Sequence, residues 1–365
     1  MSTKYSDKLQ KLRNRRTPTV KSLTFDSVPR PVMESFETKG KGDATRYALG
    51  CMAEVPAEYT KISLRDGQRV ADQLTSQKLY SVETRLQGSV PLNVHIYSSS
   101  DVDLLVLAAW FCQVDQPAVQ PNSYNFSTGP KSTLKELVDL RAFCETYLAQ
   151  KYPAAEVDTS GAKAIAVSGG SLARKVDIVP SHWIDTVDYQ RLHLEYFRDV
   201  AILDKHTHTT LRNSPFRHMM LINAKDKASD ESAKKAIRLL KCLCRDADAD
   251  IGLSSYEIAG LIYHMPDEKL KVNPFFPLVL LGRVDEYLRQ LENNPSYAKS
   301  LRAPDGSRLI LDTTQKINAL TALRVELTDT INNVAADYDA GQQYQFDRAL
   351  ALERARRTLD STIIY

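Results

Sequence analysis

The sequence predicts an α+β chain of two lobes, a mixed sheet with flanking helices followed by a helical C-terminal lobe. Three observations lead there. Short apolar runs of strand-like character lie in the stretch between Thr84 and Val179. Beyond about Pro215, apolar residues recur at helical spacing with few interruptions. No segment repeats, and no apolar run reaches membrane-spanning length. At 365 residues, with 43% hydrophobic and 25% charged, the chain can bury a sizeable core without disulfides or a structural metal. The expected division is 1–215 for the sheet-bearing core with its N-terminal helices and 216–365 for the helical lobe.

The elements follow in order. Leu9 and Leu12 share one face of a short leading helix, and Pro18, Pro29 and Pro31 make the basic stretch behind it an irregular arm. Residues 58–80 form a longer helix with Ile62, Val70 and Leu74 inward, Gly67 notwithstanding. Thr84-Arg85-Leu86-Gln87 leads as a strand into Gly88-Ser89, and Asp101 to Leu107 is a strongly apolar strand. Pro117, Pro121, Asn122, Gly129 and Pro130 make 112–130 a loop. Ser132 or Thr133 caps a helix to about Gln150 that carries Leu134, Leu137, Leu140 and Leu148 on one stripe. Ala162 to Val167 and Arg174 to Val179 are strands joined by Ser168-Gly169-Gly170-Ser171, a hairpin turn that lacks the Lys-Ser/Thr of a phosphate-binding P-loop. Met219 to Ile222 reads as one more apolar strand. Asp230 to Cys244 is a helix with Asp230 and Glu231 in its first turn, Ser254 caps another through Met265, and 275–296 and 308–340 are further helices.

Composition excludes several classes. A net charge of +3 is too balanced to predict nucleic-acid binding from charge. Five scattered cysteines without a Cys-x-x-Cys exclude a disulfide framework or zinc ribbon and fit a reducing cytoplasm. Met1 to Arg16 lacks a signal peptide's apolar stretch, so the expected location is cytoplasmic, with no membrane partner. His206-x-His208 sits among threonines and reads as a polar turn, while Cys242-x-Cys244 on a helix faces two sides, so neither is a chelate. Asn223, Lys225, Arg212 and Arg217 either line a cleft or serve ordinary capping and surface roles.

The chemistry lies in Gly88-Ser89 and the segment ending Asp101-Val102-Asp103. Alternation along a strand puts Asp101 and Asp103 on one side, with Val102 and Leu104 turned into the core. Two neighbouring carboxylates repel, and a divalent cation with hard oxygen preference, such as magnesium, resolves the conflict. Glycine lets backbone approach a phosphate, and the Ser89 hydroxyl and nearby amides can hold its oxygens. Asp177, alone inside the apolar strand Lys175-Val176-Asp177-Ile178-Val179, supplies a third carboxylate if its strand pairs beside that of Asp101. Lys175 lies on the same face as Asp177. A lone Asp-x-Asp is usually a solvated strand end and a lone Gly-Ser a turn. The three in this order, two of them in apolar strands, point to metal-assisted phosphoryl transfer.

This set resembles the DNA polymerase β-like nucleotidyltransferase superfamily, and the chain from about Tyr47 onward resembles its cGAS/DncV-like family. The helical half carries the narrower likeness, in Ala236-Ile237-Arg238-Leu239-Leu240-Lys241 and Ser254-Ser255-Tyr256-Glu257. The resemblance implies that Gln87, Gly88, Ser89, Lys241 and Ser255 hold a nucleoside triphosphate and that Tyr256 stacks on a base. It implies that Asp101, Asp103 and Asp177 hold two magnesium ions, which manganese could replace. The implied reaction joins nucleoside triphosphates, ATP foremost with the second base open, into a cyclic di- or trinucleotide messenger of bacterial anti-phage defence. A nucleotide transfer to RNA or protein is the alternative, and a silent binding module ranks last because all three carboxylates are present. A HORMA-type or other regulatory protein and an effector that acts through the product are implied partners. The zinc insertion of the animal DNA sensor is missing, so DNA activation is not expected. Asn93 and Val94 depart from the family's loop, and the ending Ile363-Ile364-Tyr365 lacks the small residue through which some members are conjugated.

Overall fold

The computed structural model describes residues 3–17, 34–98, 100–124, 132–339, 341 and 347–365. The arm around Pro18, Pro29 and Pro31, and the loop positions Gly129 and Pro130, lie outside the described residues. The chain opens with α1 (Thr3–Arg16), α2 (Ser35–Lys39), α3 (Asp43–Met52) and α4 (Ala57–Ser76). The sheet-bearing part runs β1 (Val82–Gln87), β2 (Val102–Val114), α5 (Thr133–Lys151), β3 (Ala155–Asp158), β4 (Ile165–Gly169), β5 (Val176–Asp185), α6 (Val187–Leu192), β6 (Asp199–Asp204) and β7 (Thr209–Asn213). The remainder is helical: α7 (Pro215–Ala228), α8 (Ser232–Asp246), α9 (Ser255–His264), α10 (Asp267–Leu270), α11 (Val279–Asn293), α12 (Pro295–Ser300), α13 (Thr314–Tyr338) and α14 (Arg348–Ser361). Among the described residues no helix is long and apolar enough to cross a membrane.

The sheet is mixed, ordered β1-β2-β5-β4-β3, with β6 on the far half of β5 and β7 beyond it. The central pair β2–β5 is parallel and the others are antiparallel. Val102, Leu104, Val106 and Ile178 face Val70 and Leu74 of α4 and Leu137, Leu140 and Leu148 of α5, all fully buried. Leu105, Leu107, Val179 and Trp183 form a second cluster on the other face with Val200 and Ile202. The α4 carboxylate Asp66, itself fully buried, accepts from the backbone amides of Ala173 (2.6 Å) and Arg174 (2.9 Å), which fixes where β5 starts. Ser132 caps α5, and Ser254 and Glu257 form a reciprocal capping box at α9, as their spacing predicts.

Several boundaries differ from the sequence reading. β2 continues to Val114, so the loop expected from residue 112 starts later. The exposed half of the strand reads as loop, yet it rejoins β5 at Gln113↔Ile184 after a shift in register. Met219 to Ile222 is not a strand but part of α7. Pro215 occupies its first turn, and His218 and Ile222, one turn apart, are buried together. Asp230 and Glu231 precede α8 with φ of 51° and 61° rather than forming its first turn. Strands β3 and β7 carry too few apolar residues to announce themselves, while β6, apolar from Val200 to Leu203, is a strand that the sequence reading leaves out.

The boundary expected near 215 falls where β7 gives way to α7. The leading helices nonetheless pack away from the sheet. Tyr5, Leu9, Leu12 and Tyr47 share one core with α8, α9, α11 and α13. The Tyr5 hydroxyl meets Asp329 at 2.9 Å and Thr330 at 3.0 Å, and Lys8 pairs with Glu326 at 2.7 Å. In space, the helical lobe is therefore built from both ends of the described chain.

Gly67 shows how tightly α4 meets the strands. A Cβ there would lie 2.7 Å from Val102 Cγ1 and 2.8 Å from Leu86 Cδ2. Alanine would gain about 1 kcal/mol of helix propensity, but overpacking against a β-branched neighbour costs roughly 1–3 kcal/mol. Gly67→Ala is therefore expected to lower the unfolding midpoint in urea, and a higher midpoint would contradict this account of the α4–β2 contact.

Candidate active site

The site begins with strand register. Asp103 of β2 is paired directly with Asp177 of the parallel β5, and Gln87 of β1 sits opposite Asp103 on the other side. Parallel neighbours point their side chains to the same side, so the Asp103 and Asp177 carboxylates stand on adjacent strands above one face. Val102 and Val176 turn the other way and are fully buried. Asp101, at the entry to β2, joins them through Lys175, whose ammonium lies 2.9 Å from Asp101 Oδ2 and 3.1 Å from Asp177 Oδ1.

Electrostatics follow from this crowding. Burial, then the charges of Asp177 and Asp101, push Asp103 up to about 6. Burial also raises Asp177, an effect that Lys175 opposes. Asp177 Oδ1 is buried without a well-aligned hydrogen bond. Among the described residues no group of three His, Cys, Asp or Glu side chains is closed into a metal-holding set, and Lys175 stands between Asp101 and Asp177. The donor chemistry nonetheless fits a hard divalent cation: three carboxylates gathered by two strands, one raised by its neighbours and one with an oxygen that has no well-aligned hydrogen bond.

The glycine of Gly88-Ser89 is required twice. Its φ is +84°, and a Cβ at this position would overlap the Asp103 carboxylate. The loop can therefore lie directly on the aspartates only with glycine here. Val90 and Leu92 anchor it in the core, Asn93 takes φ of 58°, and the Val94 amide donates to the Ser89 carbonyl at 3.0 Å.

The helical lobe closes over this loop from α8. Arg238, 1% exposed, donates to the carbonyls of Asn93 (2.7 Å) and Met52 (2.9 Å). Lys241 donates to the Val94 carbonyl at 2.7 Å, and burial, only partly compensated, lowers it to about 8. Ser255 opens α9. A cleft of about 620 Å³ brings Ser89, Asp101, Asp103, Asp177, Lys241 and Ser255 together on its walls.

Gln87 and Gly88 adjoin that cleft through the β1–β2 pairing without lining it. Tyr256 does not line it either, and its ring is covered on the inside of the helical lobe. The ring stacks on His218 with centroids 4.2 Å apart and planes at 18°, the Arg308 guanidinium sits 4.3 Å from its centre, and its hydroxyl bonds to Asp305. Arg308 belongs to a hairpin closed by the Arg302–Leu309 bridge, a contact that sequence spacing does not announce. Arg212 is held by Asp115 and Asp199, Arg217 lies 3.8 Å from Asp188, and Lys225 bonds to Asp267 and the Met265 carbonyl. Asn223 is exposed on α7, and His206 and His208 sit in the exposed β6–β7 turn. Sequence reasoning missed His95, Tyr97 and Arg245, all on the cleft wall. His95 stands between two buried apolar residues, where alternation would have turned it outward, and Tyr97 and Arg245 carry no local signal.

Comparisons with known proteins agree with this architecture. Residues 220–332 match the model of the cGAS/DncV-like nucleotidyltransferase C-terminal helical domain. The cyclic dinucleotide synthase CdnE of Yersinia aleksiciae is 36% identical over 308 residues, 83% of this chain and 79% of that protein. The STING-associated CdnE c-di-GMP synthase of Capnocytophaga granulosa superposes with a TM-score of 0.72 at 28% identity, covering 93% of this chain and 99% of its own. A STING-associated CdnE c-di-GMP synthase from Flavobacteriaceae sp. superposes with a TM-score of 0.75 at 22% identity, over 90% of this chain and 98% of its own.

The crowded carboxylates predict a pH signature. The folded value of Asp103 lies above its ordinary 3.8, so its stabilising contribution is complete below that value and is lost as pH rises through about 6. Asp103→Asn removes the repulsion and is expected to stabilise the metal-free protein at pH 7 by up to about 3 kcal/mol, with a smaller difference near pH 4. Urea unfolding in chelator at the two pH values measures it, and equal stabilities at pH 7 would contradict the crowding.

Proposed function

Because the chain belongs to the cGAS/DncV-like nucleotidyltransferases, we propose that it joins nucleoside triphosphates into a cyclic dinucleotide with release of pyrophosphate. The observation that carries this is the in-register pair Asp103–Asp177, with Asp101 beside it and the Gly88-Ser89 loop laid on top. The names of the relatives, a cyclic dinucleotide synthase and c-di-GMP synthases, favour a dinucleotide over a larger ring and make GTP as well as ATP a substrate to test.

Asp101, Asp103 and Asp177 would hold two magnesium ions, or manganese, which would neutralise phosphate charge and make the attacking ribose hydroxyl more acidic. The Ser89 hydroxyl and the amides of its loop hold the terminal phosphates of the donor nucleotide. Lys241 keeps its bond to the Val94 carbonyl and adds a phosphate oxygen, since an ammonium has three donors. Ser255 reaches the same phosphates from α9. The ribose oxygen attacks the α-phosphorus, the bond to the β-phosphate oxygen breaks, and Asp177 accepts the hydroxyl proton on its Oδ1, which has no well-aligned hydrogen bond. A second round closes the ring. A base that stacks on Tyr256 has to displace or join the Arg308 guanidinium. In this reading the lobes, divided near residue 215, both wall the site, the reaction is cytoplasmic, and the product acts on a separate effector.

Incubation with labelled ATP, GTP and magnesium tests the reading: a phosphatase-resistant small product is expected, and label in a macromolecule instead would point to an RNA or protein acceptor. Asp101→Asn with Asp103→Asn should lower turnover by roughly 10³-fold or more without loss of fold, and retained turnover would remove these residues from the chemistry. Lys241→Met should raise the nucleotide KM by roughly 10-fold with kcat less affected, and an unchanged KM would assign Lys241 to loop support alone.

A further inference from the structure

His95 plays no part in the reaction as derived, yet its surroundings are those of a working side chain. It is 2% exposed and lines the cleft beside Ser89 and Lys241. Its Nε2 meets the Thr60 hydroxyl at 3.1 Å, while its Nδ1 is buried without a well-formed hydrogen bond. A residue that only filled space here could be leucine or phenylalanine, neither of which leaves a buried polar atom unpaired.

The groups facing the ring come from four elements: the Thr60 hydroxyl from α4, the Ser89 backbone from the loop, Lys241 and Arg238 from α8, and Arg16 from α1. Burial first, then Lys241 and Arg238, lowers the imidazole to about 4, so it is neutral at physiological pH and carries a single proton. The Ser89 backbone interacts with the ring in the sense that favours a proton on it. The Thr60 hydroxyl can donate to Nε2 or accept from it, and in the tautomer where it donates the proton sits on Nδ1, beside the Ser89 backbone. Three successive residues are thus pinned from both lobes, Asn93 by Arg238, Val94 by Lys241 and His95 by Thr60.

We propose that His95 is a positioning residue for the triphosphate, whose Nδ1–H supports the Ser89 backbone and forms its full hydrogen bond when the loop closes on phosphate. The inference rests on the reading of Gly88-Ser89 as the phosphate cradle.

Three variants of the full chain separate the ring's two sides. His95→Asn keeps an N–H near the Nδ1 position, His95→Gln keeps a partner for Thr60, and His95→Phe keeps the volume. The probes are ATP and GTP analogues with a non-hydrolysable α–β bridge, titrated calorimetrically with magnesium, alongside KM, kcat and the thermal midpoint. His95→Phe and His95→Gln are expected to weaken binding and raise KM by roughly 10-fold, with kcat within about 3-fold, and His95→Asn to recover most of the loss. The ratio of the His95→Phe KM to the wild-type KM should not change with pH between about 6 and 8, because the ring stays neutral there while Asp103 and Lys241 titrate alike in both proteins. Recovery by His95→Gln instead of His95→Asn, or equal losses that track the thermal midpoint, would overturn the positioning role and leave the cradle standing. Absence of analogue binding by the wild-type chain would overturn the cradle itself, and this inference with it.

Discussion

Like charges dislike company, and the register of β2 against β5 forces Asp103 and Asp177 into it. Much of the surrounding structure maintains that pairing. The buried valines Val102 and Val176 lock the two strands to the core on their reverse side. Asp66 reaches from α4 to fix the backbone just before β5, so the register cannot slip without breaking two hydrogen bonds to a buried carboxylate. Gly88 gives up its side chain so that the loop can rest on Asp103. A slip of one residue would send every carboxylate into the apolar interior, where each would cost several kcal/mol.

The second lobe answers with charge of the opposite sign. Arg238 and Lys241, one turn apart on α8, donate to consecutive carbonyls of the loop that follows Ser89. Among the described residues Lys241 has no carboxylate within ion-pair distance and Arg238 has only Glu54, at 3.9 Å, so the cleft is polarised, acidic along the strands and basic along the helix. A magnesium-bound triphosphate matches both poles, positive toward the aspartates and negative toward the lysine. The geometry therefore couples the lobes through the backbone of the loop that follows Ser89, which neither lobe holds alone.

How much of this was legible depended on the range of the interaction. The face shared by Asp101 and Asp103 follows from alternation along one strand, and the caps at Ser132 and Ser254 follow from spacing over one turn. The pairing of β2 with β5 was a condition rather than a deduction, because nothing local chooses which strands meet. The exposed half of β2 and the polar β3 and β7 take their structure from their neighbours and carry no local strand signal. Tyr256 carried a role by resemblance, and only the fold brings Arg308 and His218 onto its ring. His95 was hidden for a related reason: the segment around it is not a strand, so alternation misjudged its direction.

The helical lobe's dependence on both chain ends has a consequence for how the protein is made. Tyr5 finds its partners Asp329 and Thr330 more than three hundred residues later. At about 5–20 residues per second, a ribosome needs tens of seconds to supply them. Throughout that time the apolar faces of α1 and α3 have no completed core to enter, while the sheet-bearing lobe can assemble between them. Nascent chains of this protein therefore carry the apolar faces of α1 and α3 uncovered for most of their synthesis, an opening for chaperones and for misassembly that the finished molecule conceals.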